Sequence, residues 1–558
     1  MIPLRPLVLI ACILLSSGAT ARGDETPAET SLSESTGSAL GDAIPSSEEL
    51  EAQGAVIGRV AVRVGDVFDT RIEGENGWFY RTANGLHIET RPSVIREQLL
   101  FHTGDLFSQR LLTENERILR QNPFLYDAVI VPVGYDGSAV DLEVRTRDVW
   151  TLRPGFNFGR AGGANRLSLK LVEKNLLGYG KEVHAEWRDT VDRTSLIFGY
   201  NDPHFLHPFT RLSLAYADSS DGQTKAVALE QPFYSLETRR SGGLQLFDNS
   251  RDEPRYVLGE NVGEFGYREE YYEIRYGRSQ GLQQGHAARW SAGITYDRNR
   301  FAELPDTPLG GPLPDDRELL YPWLGFEWLE DKFQERRNQD QIGRTEDVLL
   351  GLRASGRVGL ALQSAGSDRN AMIFSGYMQR GLDLRPGHSV FWNLAASGRL
   401  EDGGLANGIF NAGSRYYWQT TPRSKFYAGI DAVLTENLDP EHQLLLGGDS
   451  GLRGYPLRYL AGTSRALLTL EQRYYSNWYP FRLFHVGAAA FCDIGRTWGR
   501  DVTGFENTEL LKDVGLGLRL GSSRSSFGNV IHIDLAFPLD GDQSIDSVQI
   551  LVETKAGF

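Results

Sequence analysis

The chain has 558 residues, 41% of them hydrophobic and 11% aromatic, with 62 glycines, long enough for several ordinary domains. After the N-terminus no run of about 18 or more apolar residues occurs, which excludes a transmembrane helix and leaves a large soluble β-rich protein or a barrel whose lipid face is hidden in alternation. A net charge of -15 argues against nucleic acid as a partner, because a phosphate-binding surface needs a basic patch.

Arg5 precedes an apolar run from Pro6 to Leu15, and Ala19-Thr20-Ala21 supplies a small-residue cleavage pattern, so residues 1–21 read as a secretory signal peptide. Leu9-Ile10-Ala11-Cys12 offers a rival lipoprotein box, although Ile13, Leu14 and Leu15 carry the apolar run past the cysteine. Cleavage after Ala21 leaves Cys492 alone, which excludes an intramolecular disulfide despite export. Residues 22–54 are rich in Glu, Ser, Thr, Ala and Gly and bury too little apolar surface to offset ordering entropy, so they read as a disordered tether.

Residues 55–150 carry a β-α-α-β-β pattern. Val60, Val62 and Val64 alternate on a first strand. Pro92 opens a helix expected over 93–101, since proline suits a first helical turn. A second helix over 108–122 buries Leu111, Leu112, Ile118 and Leu119 and stops before Pro123. Strands over 126–133 and 139–147 follow, joined by the turn Gly134-Tyr135-Asp136-Gly137.

From 151 to 558 the rhythm changes to strand-length alternation broken by Gly, Pro, Asp and Asn clusters. In the run from Val486 to Gly495, Ala488, Ala490, Cys492 and Ile494 share one face, opposite Gly487, Phe491, Asp493 and Gly495. Val514, Leu516, Leu518 and Leu520 likewise oppose Gly515, Gly517 and Arg519. In a soluble sandwich the apolar face would be the core. Here the opposite face is glycine with isolated charges, which suits a wet, crowded lumen, and many aromatics lie near strand ends as interfacial girdles require. The fold class expected is therefore a transmembrane antiparallel β-barrel preceded by one small α+β domain.

Three motifs carry a resemblance. Leu452-Arg453-Gly454-Tyr455 matches a V/L-R-G-F/Y loop motif, Phe491-Cys492-Asp493-Ile494-Gly495 matches an F/G-x-D-x-G strand motif, and Asn175-Leu176-Leu177-Gly178-Tyr179-Gly180 is similar to the turn after a second barrel strand. In this order they resemble the BamA/TamA-like outer-membrane assembly superfamily, or bacterial surface antigens. The 55–150 module resembles a single POTRA domain, with Gly104-Asp105 before its second helix and Asn115-Glu116-Arg117 within it. The resemblance implies sixteen strands, which is the number expected; about twenty candidate runs lie between Thr151 and Phe558, the surplus reading either as runs counted twice at bulges or as hairpins of outer loops above the membrane. It also implies that the Leu452–Tyr455 loop folds back into the lumen and that Phe558 ends a C-terminal assembly signal.

Within that frame Asp493 points inward, and the planar fork of Arg453 can hold its carboxylate bidentately. Glu471 and Arg473, inward on the preceding strand, can complete a network. Gly448-Asp449-Ser450-Gly451 resembles a serine-protease nucleophile segment but lacks the context of a triad. His204 and His207 lie in a Pro-rich turn without a metal-binding helix, and Gly180-Lys181 lacks the rest of a phosphate loop. No active site, metal or cofactor is expected. The resemblance implies an insertase or polypeptide translocator in the cell outer membrane. Its partners would be lipids, together with unfolded clients or a periplasmic partner held by the POTRA-like domain. The alternative is a passive channel or structural surface antigen.

Overall fold

The computed structural model describes residues 44–558 except 73, 162–163, 343–344, 508, 523–529, 542–544 and 556–558. The signal peptide, most of the tether and Phe558 lie outside the described residues.

The N-terminal domain is a three-stranded sheet, β1 (Val56–Gly65), β2 (Leu125–Tyr135) and β3 (Ala139–Asp148), in the order β1-β3-β2. β3 runs parallel to β1 and antiparallel to β2. Helices α1 (Ser47–Ala52), α2 (Trp78–Leu86), α3 (Pro92–Arg96) and α4 (Gln109–Arg120) complete it. Ile57, Ile95, Leu112, Leu119, Phe124, Val140, Leu142 and Val144 form one closed core.

Three expectations change here. The tether ends sooner than expected, because a Ser46/Glu49 capping box starts α1 and Leu50 is fully buried in the domain core. Burying one leucine contributes about 1.5–3 kcal/mol, and Ser47, Glu51 and Gln53 add hydrogen bonds to Gln109 and Tyr135 that dock the helix on the domain. The helix expected over 93–101 stops at Arg96 because the Asn115 side chain takes over the next backbone groups, accepting from Leu100 N at 2.8 Å and donating to Gln98 O at 3.0 Å. The helix α2 was not anticipated.

The rest of the chain is a closed barrel of twenty strands, from Leu152–Ala161 to Gln549–Lys555, each paired with its sequence neighbours. The sixteen strands implied by the resemblance do not hold. Nearly every candidate run carries its own outward apolar face, and such a face in a barrel must stand in the wall. The burial pattern is inverted relative to a soluble protein. Along Leu511–Ser522, Val514, Leu516 and Leu518 are exposed, while Asp513 and Arg519 are fully buried. Outward aromatic pairs stack near the end that carries the N-terminal domain: His286 on Trp328 at 3.8 Å, Trp290 beside Phe326 at 4.6 Å and His388 on Trp418 at 5.5 Å.

Wall height is uneven. Glu182–Asp189 has 8 residues and Glu260–Gln283 has 24, against the roughly 9–11 that cross a bilayer, so the taller strands stand well clear of it. Closure is by the first and last strands, for which one Cα partner pair, Val552↔Arg160, is recorded among the described residues. The neighbouring ladder runs from Val530↔Lys555 to Ala536↔Gln549.

Candidate functional site: a lumen closed from both ends

At the far end of the barrel the chain between Ser424–Glu436 and Ser464–Tyr475 does not cross the mouth directly. It turns inward as a short ribbon, Leu444–Leu446 paired with Leu460–Gly462. Arg399 clamps its base with two bonds of 2.8 Å to Asp439, and Arg317 holds Glu441 at 2.7 Å. The tip, Leu452-Arg453-Gly454-Tyr455, reaches the inner wall.

Arg453 sits there as a fork on three strands. Its Nε and Nη2 donate to the two oxygens of Asp493 at 2.6 and 3.0 Å, and Nη1 donates to Glu471 at 2.9 Å and Asp534 at 3.5 Å. The guanidinium lies 3.5 Å from the centroid of the Phe491 ring, so the motif phenylalanine supplies a cation–π face. Asp493 is fully buried and Arg453 nearly so. Arg473 Nε donates to the second oxygen of Glu471 at 2.9 Å, and Arg519 pairs with Asp534. The expected inward pair and its extension to Glu471 and Arg473 are therefore brought together. Asp534 and Arg519 also belong to the cluster. Alternation puts Arg519 on the polar face, but nothing in its spacing ties it to the loop.

Glycines of both motifs make room for this contact. A Cβ on Gly495 would come 2.8 Å from Leu446 and 3.0 Å from Leu452, and one on Gly454 would come 2.6 Å from the Asp513 Cβ. Gly454 N donates to Asp513 at 2.9 Å, and Tyr455 OH donates to Lys512 O at 2.7 Å. Leu452 and Tyr455 are buried with Leu446, Tyr459, Leu460 and Leu511. Gly495 is thus needed where the ribbon leans on the wall. Ser450 is occupied locally, accepting from Gly447 N at 2.8 Å.

A second insertion, unforeseen from sequence, enters from the other end. Between Arg317–Glu330 and Arg353–Ala361 a hairpin pairs Phe333–Arg336 with Glu346–Leu349 and enters the lumen. Arg336 anchors it to Ser389 and Asp383, each at 2.5 Å. At its tip, Asn338 O accepts from Lys425 Nζ at 2.7 Å and Tyr475 OH at 2.8 Å, and Gln339 O accepts from Arg473 at 3.2 Å. Ile342 packs with Tyr475, Ala489 and Val530. Arg473 therefore touches the hairpin directly at Gln339 and is linked to the ribbon through the wall residue Glu471, which Arg453 also holds.

The N-terminal domain caps that same end. Arg120 of α4 holds Glu335 at 2.7 Å and Asp347 at 2.8 Å on the hairpin, and Arg117 lies 3.6 Å from the Phe333 ring centroid. Glu114 accepts from Leu236 N at 2.6 Å in another barrel turn. The Asn175–Gly180 motif is a docking clamp for the domain: Asn175 donates to Thr90 at 2.8 Å, and Gly178 O accepts from Arg91 N at 3.0 Å. Gly178 and Gly180 have φ of +78° and +68°, and a Cβ on Gly178 would come 2.5 Å from Glu89 O.

Inverted burial, aromatic girdle and closed antiparallel wall together define an outer-membrane β-barrel bearing one small α+β domain. No protein-family model and no curated protein matches the chain. Among solved structures it is similar to BamA from Haemophilus ducreyi lacking POTRA domains 1-3, at 12% identity and TM-score 0.37 over 89% of this chain and 84% of that one. It is also similar to CdiB from Acinetobacter baumannii, at 11% identity and TM-score 0.46 over 90% and 73%. CdiB from Escherichia coli matches at 12% identity and TM-score 0.41, over 90% of this chain and 77% of that one.

Proposed function

We propose that the chain is a protein insertase or polypeptide translocator of the BamA/TamA-like type, with its POTRA-like domain in the periplasm. The observation that carries this over a passive channel is the interior. Two insertions enter from opposite ends and are linked through the wall pair Arg473 and Glu471, leaving the wall itself as the place to open. The seam between the first and last strands, where Val552 faces Arg160, is the part of that wall proposed to open, because a strand edge freed there would template new β-structure.

Clients would reach the domain by adding a strand to its sheet. The middle of the β2 edge is already satisfied: Ile130 N donates to Glu116 at 2.6 Å and Ala128 O accepts from Arg120 at 3.2 Å. The β1 edge beyond Gly58 is then the side left for a client. Contacts from α4 to the hairpin give client binding a physical route to the lumen.

The test is depletion of the protein followed by comparison of outer-membrane proteomes, with rescue by the wild type or by an Arg160→Cys/Val552→Cys chain. Directly opposed antiparallel positions are close enough for a disulfide. Wild type should restore the missing proteins, and the double variant should do so only under reducing conditions. A proteome unchanged by depletion contradicts the proposal.

A further inference from the structure

Helix α2 wears its apolar face outward. Trp78, Thr82 and Leu86 recur every four residues on one side, with Phe79 flanking them. Trp78 is 75% exposed, Leu86 70% and Phe79 51%. The inner face is the more polar one: Asn84 exchanges two hydrogen bonds with the backbone of Phe68, at 3.1 and 2.8 Å, and Tyr80 rests on the Phe68 ring at 4.9 Å. A surface helix normally turns its apolar stripe to the core, so this stripe is kept for something outside the domain.

The neighbourhood identifies what covers it. Glu75, three residues before the helix, holds Arg482 at 3.5 Å. Arg482 lies in the barrel turn between Ser464–Tyr475 and Phe484–Trp498. The same turn carries Trp478, 65% exposed, and the strand entering it presents Tyr474 outward. These aromatics continue the girdle of Trp290 and Trp418 at the domain-bearing end, where indole and phenol rings sit at headgroup level. Arg81 is exposed on the same helix, a cation beside the apolar stripe as interfacial helices have.

We infer that α2 is an interfacial membrane anchor, its Trp78, Phe79 and Leu86 face lying in the lipid headgroup layer beside the barrel. The inference rests on the barrel's place in a bilayer and holds whether or not the protein inserts clients. The anchor fixes the domain against the membrane plane as well as against the barrel turns.

The test uses the full chain with Cys12 and Cys492 replaced by alanine, bearing Thr82→Cys labelled with bimane, in phosphatidylethanolamine–phosphatidylglycerol vesicles. Nitroxide lipids labelled at the headgroup should quench the probe about twofold, and iodide should quench it weakly, as for a group at the interface. Nitroxides deep in the acyl chain should have less effect. A parallel chain labelled at Leu516→Cys, on the exposed wall, should show the reverse depth preference. Adding Trp78→Ser and Phe79→Ser should relieve headgroup quenching at position 82. A probe at 82 that ignores both lipids while position 516 is quenched overturns the inference and makes the face water-exposed or a soluble partner's surface. If position 516 is also unquenched, the membrane placement fails and the anchor with it.

Discussion

Arg453 spends a whole guanidinium on keeping one loop against one wall. Its partners Asp493, Glu471 and Asp534 are nearly free of solvent, so deleting either half of the Arg453–Asp493 pair strands a buried charge, at about 3–5 kcal/mol. Arg453→Ala and Asp493→Ala should each loosen the loop, with a coupling energy well above about 0.5 kcal/mol in a double-mutant cycle on barrel unfolding. Arg453→Lys should recover only part, since an ammonium cannot make the bidentate contact or lie flat on Phe491. Strictly additive effects mean that the residues do not interact. This pair was legible because alternation aims Asp493 inward and the resemblance brings the loop to it. The stacking of Phe491 was not, because a ring on the lumen face looks like any other filler until the arginine is above it.

At the scale of elements, α4 does three jobs: it packs the core, guards the β2 edge and grips the hairpin. The first was readable from the spacing of Leu112, Ile118 and Leu119. The others depend on where Glu116 and Arg120 point, which periodicity does not say. Burial pushes the Glu116 carboxyl up to about 7 from 4.5, with Glu335 adding to the rise while the Ile130 N–H and Arg120 oppose it. A carboxyl that keeps its proton longer when folded stabilises fully below its unfolded value and loses that contribution as pH climbs through the folded one. The domain should therefore weaken between about pH 4.5 and pH 7, by up to about 3 kcal/mol. Hydrogen exchange of α4 and β2 amides in the full chain, corrected for intrinsic rates, measures this. Glu116→Gln, which can still accept from Ile130, should flatten the profile. An unchanged slope in that variant removes Glu116 as the cause.

The whole molecule is a barrel stoppered twice. Its class was legible in the period-two pattern, because lipid outside and glycine with isolated charges inside leave a signature that a soluble core does not. The number of strands was not: about twenty runs alternate, but alternation does not separate a wall strand from a bulge counted twice or an outer hairpin, and sixteen were expected where the barrel has twenty. The hairpin was not legible. Between 331 and 352 its residues look like a polar turn, and only the tertiary contacts of Arg336, Asn338 and Ile342 turn that segment into the lower stopper. The central claim is that these two insertions, joined through Arg473, seal the lumen. Planar-bilayer conductance tests it most directly, comparing the intact chain with one whose Phe333–Leu349 hairpin is replaced by a short Gly-Ser turn. The intact protein should be silent apart from brief flickers, and the shortened one should hold a steady conductance at least an order of magnitude larger. A steady open conductance from the intact chain, unchanged by removing the hairpin, would contradict the account.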